Sequence, residues 1–463
     1  MRLKFLNFSL FAAGAIAAGL SIGMLSGGVH AQVAVRNQGY VPFSEAPINY
    51  RAEVNDPVAQ LQHRLDTGET TLEWEPKNGY LNSVLAHLHV PVSSQTLVFS
   101  KTSFQYKKIS PETPRALYFN DDVYVGKVHN GKAIELVSFD AKQGAIFYLL
   151  DEPKADRPLF QRAELDCTTC HVAPGTRNVP GVLIRSIYPT PTGTQAGRTP
   201  SFFTGNQSPL SERFGGWYVT GTTGVPHMGN AVSRDREHPE VLERQADATD
   251  LSDRLDTSLY LTPHSDIVAQ LVQAHQTQMH NLITLTNYRT RIALFEDAER
   301  NRETGLTETT PADNGTSRFY AHAEELVRYL IFADEAPLGG PVTGTSGFTE
   351  EFAAIGPRDR QGRSLRDFDL HTRLFKYPVS YLIYTAAFDA MPEPARSYIY
   401  HRLLEILTGT DDSDEFSQFK TADRRAALEI LRETKSGLPP EWQPSTATRP
   451  DRTTAAHRIT PRP

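Results

Sequence analysis

Residues 116–150 read ALYFNDDVYVGKVHNGKAIELVSFDAKQGAIFYLL, and this stretch decides how the first third of the chain folds. Ala116-Leu117-Tyr118-Phe119, Val123-Tyr124-Val125, Ile134-Glu135-Leu136-Val137 and Ala145-Ile146-Phe147-Tyr148-Leu149-Leu150 are short runs of β-branched and aromatic side chains. Asn120-Asp121-Asp122, Asn130-Gly131 and Gln143-Gly144 punctuate them, as turns punctuate strands. Asn130-Gly131 is a hairpin signal because both residues tolerate a positive φ. With Leu97-Val98-Phe99 ahead of it, the region from about 80 to 150 is expected to form a small antiparallel sheet. A short helix is expected upstream, around Val58, Leu61 and Leu65.

Working outward, periodicity fades from His171 to Pro226, where seven prolines and nine glycines fall in 56 residues. So long a stretch without regular structure is functional or wrapped around something. From about residue 262 the pattern turns helical. Thr262 is the expected N-cap, with Pro263 at the first helical position and the helix running to about Arg300. Further helices are expected at 319–333, 378–390, 393–408 and 422–436. Gly409 and Gly437 stand where a C-cap needs positive φ. The expected class is therefore α+β, with an N-terminal β-rich part, a Gly/Pro-rich loop region and a mainly helical C-terminal half. The expected divisions are 32–160, 161–235 and 250–437, followed by a disordered tail over 438–463.

The 463 residues include 39% hydrophobic and 10% aromatic side chains, enough for a core. The net charge is −7, from 47 basic and 54 acidic groups, so no broad positive field exists to neutralise phosphates and no nucleic-acid partner is expected. Arg2 and Lys4 precede an uncharged run from Phe8 to Val29, and Val29-His30-Ala31 fits a small-residue cleavage site. Residues 1–31 are the pattern of a secretory signal peptide, in preference to a retained anchor, because glycines interrupt the apolar run and the cleavage triplet follows it. A periplasmic or secreted protein is expected, with no transmembrane segment after cleavage.

The only two cysteines lie in Cys167-Thr168-Thr169-Cys170-His171, the C-x-x-C-H pattern of c-type haem attachment. Two thiols two residues apart match the two vinyl groups of the porphyrin, and the adjacent histidine falls under the iron as its proximal ligand. A thioredoxin-type motif does not need that histidine. A structural zinc site needs a second Cys or His pair, and a disulfide across so tight a loop is strained. One haem c, held by Cys167, Cys170 and His171, is the expected cofactor.

The opposite axial position separates an electron carrier from a reactive haem. Met228 follows His171 by 57 residues in Val225-Pro226-His227-Met228-Gly229-Asn230, a separation similar to the His-to-Met spacing of small cytochromes c. Its neighbour His227 is an alternative. So is His275, which shares an apolar helical face with Val268, Leu271, Met279 and Leu282, while His280 lies roughly 140° around the helix. An open sixth position is the remaining alternative. Arg177, Arg185, Arg198 and Arg213 punctuate the loop after the motif, and at least one is expected on a haem propionate. Phe214-Gly215-Gly216-Trp217-Tyr218 offers flat apolar contact, either to a porphyrin or within an aromatic core.

Several blocks together resemble a family of large, secreted, mono-haem cytochrome c-like bacterial proteins. They are 94–103 (SQTLVFSKTS), 114–121 (PRALYFND), the haem motif, 213–221 (RFGGWYVTG), His275-Gln276 with His280-Asn281, 375–378 (FKYP) and 380–384 (SYLIY). They cover most of residues 80–440. The resemblance implies haem binding and electron transfer, with a periplasmic redox partner, and supplies no substrate. Small cytochromes c lack both the sheet and the helical half. The extra mass leaves a haem enzyme, peroxidase- or oxygenase-like with an open sixth site, or a haem-based sensing module, as alternatives. Mass spectrometry of the exported protein is expected to find Gln32 at the mature N-terminus, whereas a start at Met1 would indicate a retained anchor.

Overall fold

In the computed structural model the described residues are 39–244, 247–305 and 317–443. The expected signal peptide lies outside them. Among the described residues no helix is long and apolar enough to cross a membrane.

The turn residues place the strands where the sequence predicts them. The strands are β1 (Thr96–Val98), β2 (Arg115–Phe119), β3 (Val123–Lys127), β4 (Ala133–Asp140), β5 (Gly144–Asp151) and β6 (Phe160–Arg162). Asn130 has φ 54° between β3 and β4, and Gly144 has φ 69° as β5 begins. Two short strands, β7 (Arg185–Ile187) and β8 (Ser201–Phe203), pair with each other. A further one, β9 (Trp217–Tyr218), joins β1 to complete an antiparallel sheet of order β6-β5-β4-β3-β2-β1-β9. The last strand comes from the Gly/Pro-rich segment, so that segment is part of the sheet rather than free loop. The described residues from Gly39 onward belong to one compact unit, in which the three expected regions interlock.

Both faces of the sheet are covered. Ala116, Tyr118, Val123, Val125, Ile134, Leu136, Ile146 and Tyr148 point to one side. There they pack against Val58 and Leu61 of α1 (Pro57–Asp66) and Leu81, Val84 and Leu85 of α2 (Leu81–His87). Leu117, Phe119, Tyr124, Val137, Phe139, Ala145 and Phe147 point to the other side and join the core of the helical half. Apolar residues on both faces explain why the strands read as continuous runs instead of alternating ones. A short helix, α3 (Glu164–His171), follows β6 at the sheet edge and carries the Cys-x-x-Cys-His motif.

The long helix α4 (Ile267–Thr304) begins four residues later than its expected first helical position, Pro263. Its N-cap is Asp266, not Thr262: the Asp266 carboxylate accepts from Val268 N at 2.8 Å and Ala269 N at 3.1 Å. Asp266 is fully buried, and its second oxygen accepts from Thr345 N and Ser346 N at 2.6 and 2.9 Å. The expectation of one apolar face is also corrected. Every residue from Ile267 to Tyr288 is buried, His280 as well as His275, because the helix runs between the sheet and the C-terminal helices.

Those helices are α5 (Ser317–Leu330), α6 (Phe348–Ala354), α7 (Ala386–Asp389), α8 (Glu393–Thr408) and α9 (Thr421–Thr434). The helix expected at 378–390 is broken. Ser380 Oγ caps a 3-10 turn at Tyr381–Tyr384, and Thr385 Oγ1 then caps α7, so two hydroxyls restart the chain within five residues. Gly409 and Gly437 adopt φ 78° and 73° as expected. The tail expected from 438 starts later: Trp442 is fully buried against Tyr400, and its carbonyl accepts from Arg432 Nε. Residues 444–463 lie outside the described residues.

Asp266 ties the start of α4 to the 345–346 loop. Asp266→Ala removes a cap worth about 1–2 kcal/mol and leaves two further half-buried N–H groups without their acceptor, at about 1 kcal/mol or more each. A loss of at least about 3 kcal/mol is expected in urea unfolding; a loss under 1 kcal/mol would show that the cap does not hold the core.

Candidate functional site

Helix α3 starts directly after the edge strand β6, with Glu164 and Asp166 in its first turn, where the helix dipole favours negative charge. Cys167, Cys170 and His171 stand at i, i+3 and i+4 and share one side of the helix. Both cysteines are free thiols, Cys167 half-buried and Cys170 exposed. Burial pushes the Cys167 thiol up to about 12, and the charges of Glu135 and Asp166 add to this. A dithiol redox centre needs the opposite, a depressed thiol pKa.

His171 is fixed at both its backbone and its ring. Its carbonyl accepts from Gly181 N and Thr176 Oγ1, each at 3.1 Å. Its ring packs on Phe147 of β5 at 4.9 Å. Nδ1 lies 2.8 Å from Gly181 O, and a carbonyl only accepts, so Nδ1 carries the proton. The lone pair is then on Nε2, which has no hydrogen-bond partner among the described residues. Burial lowers the His171 pKa, so the ring stays neutral. A neutral histidine whose other nitrogen donates to a carbonyl is the form that ligates a metal.

Two charged residues beside the motif were not found by reading the sequence. Arg115 Nη1 pairs with Glu135 Oε2 at 2.8 Å, and both act electrostatically on His171. Glu135 Oε1 accepts from Ser103 Oγ at 2.5 Å and Gln105 Nε2 at 2.8 Å. Arg115 Nε is buried without a partner. The available signal was phase: Glu135 stands in register with Val137 and Phe139, on the side of β4 that faces the motif.

The loop arginines divide. Arg177 pairs with Glu325. Arg213 is buried and donates to the carbonyls of Ser208, Gly205 and Asn206, and burial lowers its pKa to about 10. Both are committed to the protein itself. Arg198 is exposed. Arg185 donates to Gln195 and Ser201 and keeps a buried Nε with no partner. Trp217 and Phe214 are core residues: the Trp217 indole donates to Arg185 O at 3.0 Å.

The candidates for the sixth position differ in what they offer. His275 has no free nitrogen. Nδ1 meets Asn206 Oδ1 at 3.0 Å and Nε2 meets Ser380 Oγ at 2.7 Å, inside a box of Tyr329, Phe332, Phe375 and Tyr381. Both nitrogens of this core histidine are therefore engaged within the protein. His227 Nδ1 accepts from Gly229 N at 3.0 Å, which places the proton of the neutral ring on Nε2. The Met228 sulfur is buried and receives a weak hydrogen bond from Ser186 Oγ at 3.6 Å. His280 lies face to face with Phe139 at 3.8 Å, and its Nε2 meets Asp121 O at 2.7 Å.

Among the described residues no three His, Cys, Asp or Glu side chains gather as a metal cage. A porphyrin would bring four donors of its own to a metal at His171. The donor set of two thiols and one poised imidazole on one helix face fits that group. No protein-family model, curated protein or solved structure matches the chain.

Burial pushes His275 down to about 3 and His280 down to about 4. The folded pKa lies below the unfolded value near 6.5, so each histidine's contribution is complete above that pH and is lost as pH falls toward the folded value. Asp122 and Glu335, raised by burial to about 6 and 7, act in the opposite sense. The difference between wild type and His275→Gln isolates one histidine. Between pH 6.5 and 4.5 the wild-type stability is expected to fall relative to the variant by about 1.4 kcal/mol per unit. Parallel curves in denaturant titrations would show that His275 is protonated in the fold.

Proposed function

We propose that the chain is an exported c-type cytochrome carrying one covalent haem and exchanging electrons with a periplasmic redox partner. The observation that carries this is the state of His171: one nitrogen tied to Gly181 O, the other open, on the same helix face as the two thiols. Attachment requires no oxidant. Each thiol adds across a vinyl double bond, sulfur bonding one carbon and the proton going to the other.

When bound, the haem supplies a one-electron iron couple. The chain supplies the rest. His171 holds the iron and Phe147 supports its ring. Arg115 and Arg185 each keep a buried Nε without a partner, a donor of the kind a propionate accepts from. The Arg115–Glu135 ion pair sets opposed charges beside the motif, the arginine acting the more strongly on His171.

The alternative is a haem enzyme, peroxidase- or oxygenase-like, or a sensing module, with the sixth position open. The engagement of both His275 nitrogens favours it over a bis-histidine carrier and leaves Met228 as the carrier's main candidate. Protein made with haem-attachment machinery is expected to keep its haem through acidified-solvent extraction, and Cys167→Ala/Cys170→Ala to carry none. Haem extracted from the wild type would refute the proposal. Met228→Ala is expected to turn a low-spin spectrum high-spin, with His275→Ala leaving it unchanged. A wild type already high-spin would select the open-site reading.

A further inference from the structure

Gly181 and Val182 share one peptide unit, and both of its polar atoms are held. The Gly181 carbonyl accepts from His171 Nδ1 at 2.8 Å. The Val182 amide donates to Asn281 Oδ1 at 3.1 Å. Asn281 also donates from Nδ2 to Val182 O at 2.7 Å, so both ends of its amide grip one residue, as a neighbouring strand would. Asn281 is fully buried on α4, with Met279 and Leu282 in the core beside it. The fit is close enough to dictate the residue at 181: a Cβ there would stand 2.1 Å from Asn281 Oδ1. The same glycine donates its N–H to His171 O at 3.1 Å. Helix α4 therefore reaches the histidine through a single planar group.

A peptide unit is a conjugated system. An acceptor on its N–H draws positive charge toward that end and leaves more negative charge on the carbonyl oxygen, so hydrogen bonds in series strengthen one another. A stronger acceptor on Nδ1–H makes the imidazole a better donor at Nε2, and partners of this kind tune both the basicity and the orientation of a ligating histidine. Resting on the haem reading above, we infer that Asn281 is a positioning residue: through the Gly181–Val182 peptide it orients His171 and sets the strength of the bond from His171 to the iron. Asn281 touches neither iron nor porphyrin in this role. It acts only through that peptide and on one side of the iron.

The test uses the full-length holoprotein and reads the bond itself. The iron–histidine stretch is measured by resonance Raman on the ferrous form just after photolysis of bound carbon monoxide, alongside the reduction potential. Asn281→Leu keeps the volume and removes both hydrogen bonds; it is expected to shift the stretch to lower frequency and the potential to a more positive value, with haem still covalently attached. Asn281→Asp keeps the acceptor for Val182 N–H and loses the donor, and it is expected to keep the stretch at or above the wild-type frequency. A purely structural asparagine would lower the melting temperature in both variants and leave the stretch unmoved in both. That result, with haem attached, overturns the inference and leaves the haem assignment standing. Where Asn281→Leu does not accumulate, Asn281→Ser, too short to span the gap, takes its place with the same two outcomes. Wild-type protein without covalent haem overturns the haem assignment, and this inference with it.

Discussion

A helix buried on every side has to find a partner for each polar group it carries, because an unsatisfied one costs about 1–3 kcal/mol. Over its buried length α4 carries glutamines, histidines and asparagines as well as aliphatic residues, and its neighbours are placed by these side chains. Gln270 Nε2 donates to Tyr218 O on the edge strand β9. Gln276 Nε2 donates to Asn120 O in the β2–β3 turn and to Tyr124 Oη, while its Oε1 accepts from Tyr381 Oη. Gln278 Nε2 reaches Gly175 O and Asn281 reaches Val182, both in the segment after α3. Hydrophobic burial gives this core its energy, and the amides give it one register: sliding α4 by a residue would unpair them all.

The consequence for chemistry is that the Gly/Pro-rich segment needs no helices or long strands to be well defined. It borrows order from α4 and from the sheet. Trp217–Tyr218 pairs with β1, Ser186 Oγ accepts from Gly215 N, and Arg213 draws the 205–208 turn around its guanidinium. Such a segment can follow the contour of a flat ligand where a helix could not. Its prolines and glycines permit that path, and long-range hydrogen bonds fix it.

How much of this was legible in the sequence depends on the range of each interaction. The sheet was, because Asn130-Gly131 and Gln143-Gly144 mark turns that local chemistry decides. The Cys-x-x-Cys-His pattern was visible because its five residues are contiguous, and haem attachment there stands as a proposal. The start of α4 was misplaced: Thr262-Pro263 is a sound local signal, but Thr262 O accepts from Gln95 Nε2, and Asp266 offers a carboxylate that also binds the 345–346 loop. Glu135 could have been found from its phase along β4, but Arg115, Gly181 and Asn281 carried no local signal. Asn281 lies 99 residues from its partner Val182. An asparagine in an apolar helix is a hint only once the backbone it binds is known.

His171, expected as the proximal ligand, and His275, one of the alternatives for the sixth position, show how burial assigns a role. His171 and His275 are both shielded, and shielding keeps both neutral. They differ in how many partners surround them. Asn206 and Ser380 close both nitrogens of His275, and stacked aromatic rings close its faces, so its contribution is to stability. His171 has one partner for two nitrogens. A half-satisfied imidazole held this firmly, by Gly181 at the ring and by Gly181 and Thr176 at the backbone, keeps one lone pair open in a fixed direction, and a metal ion is a partner that suits it. The thiols of Cys167 and Cys170 lie on the same face of α3, one turn away, which is the arrangement that the proposed haem attachment would use.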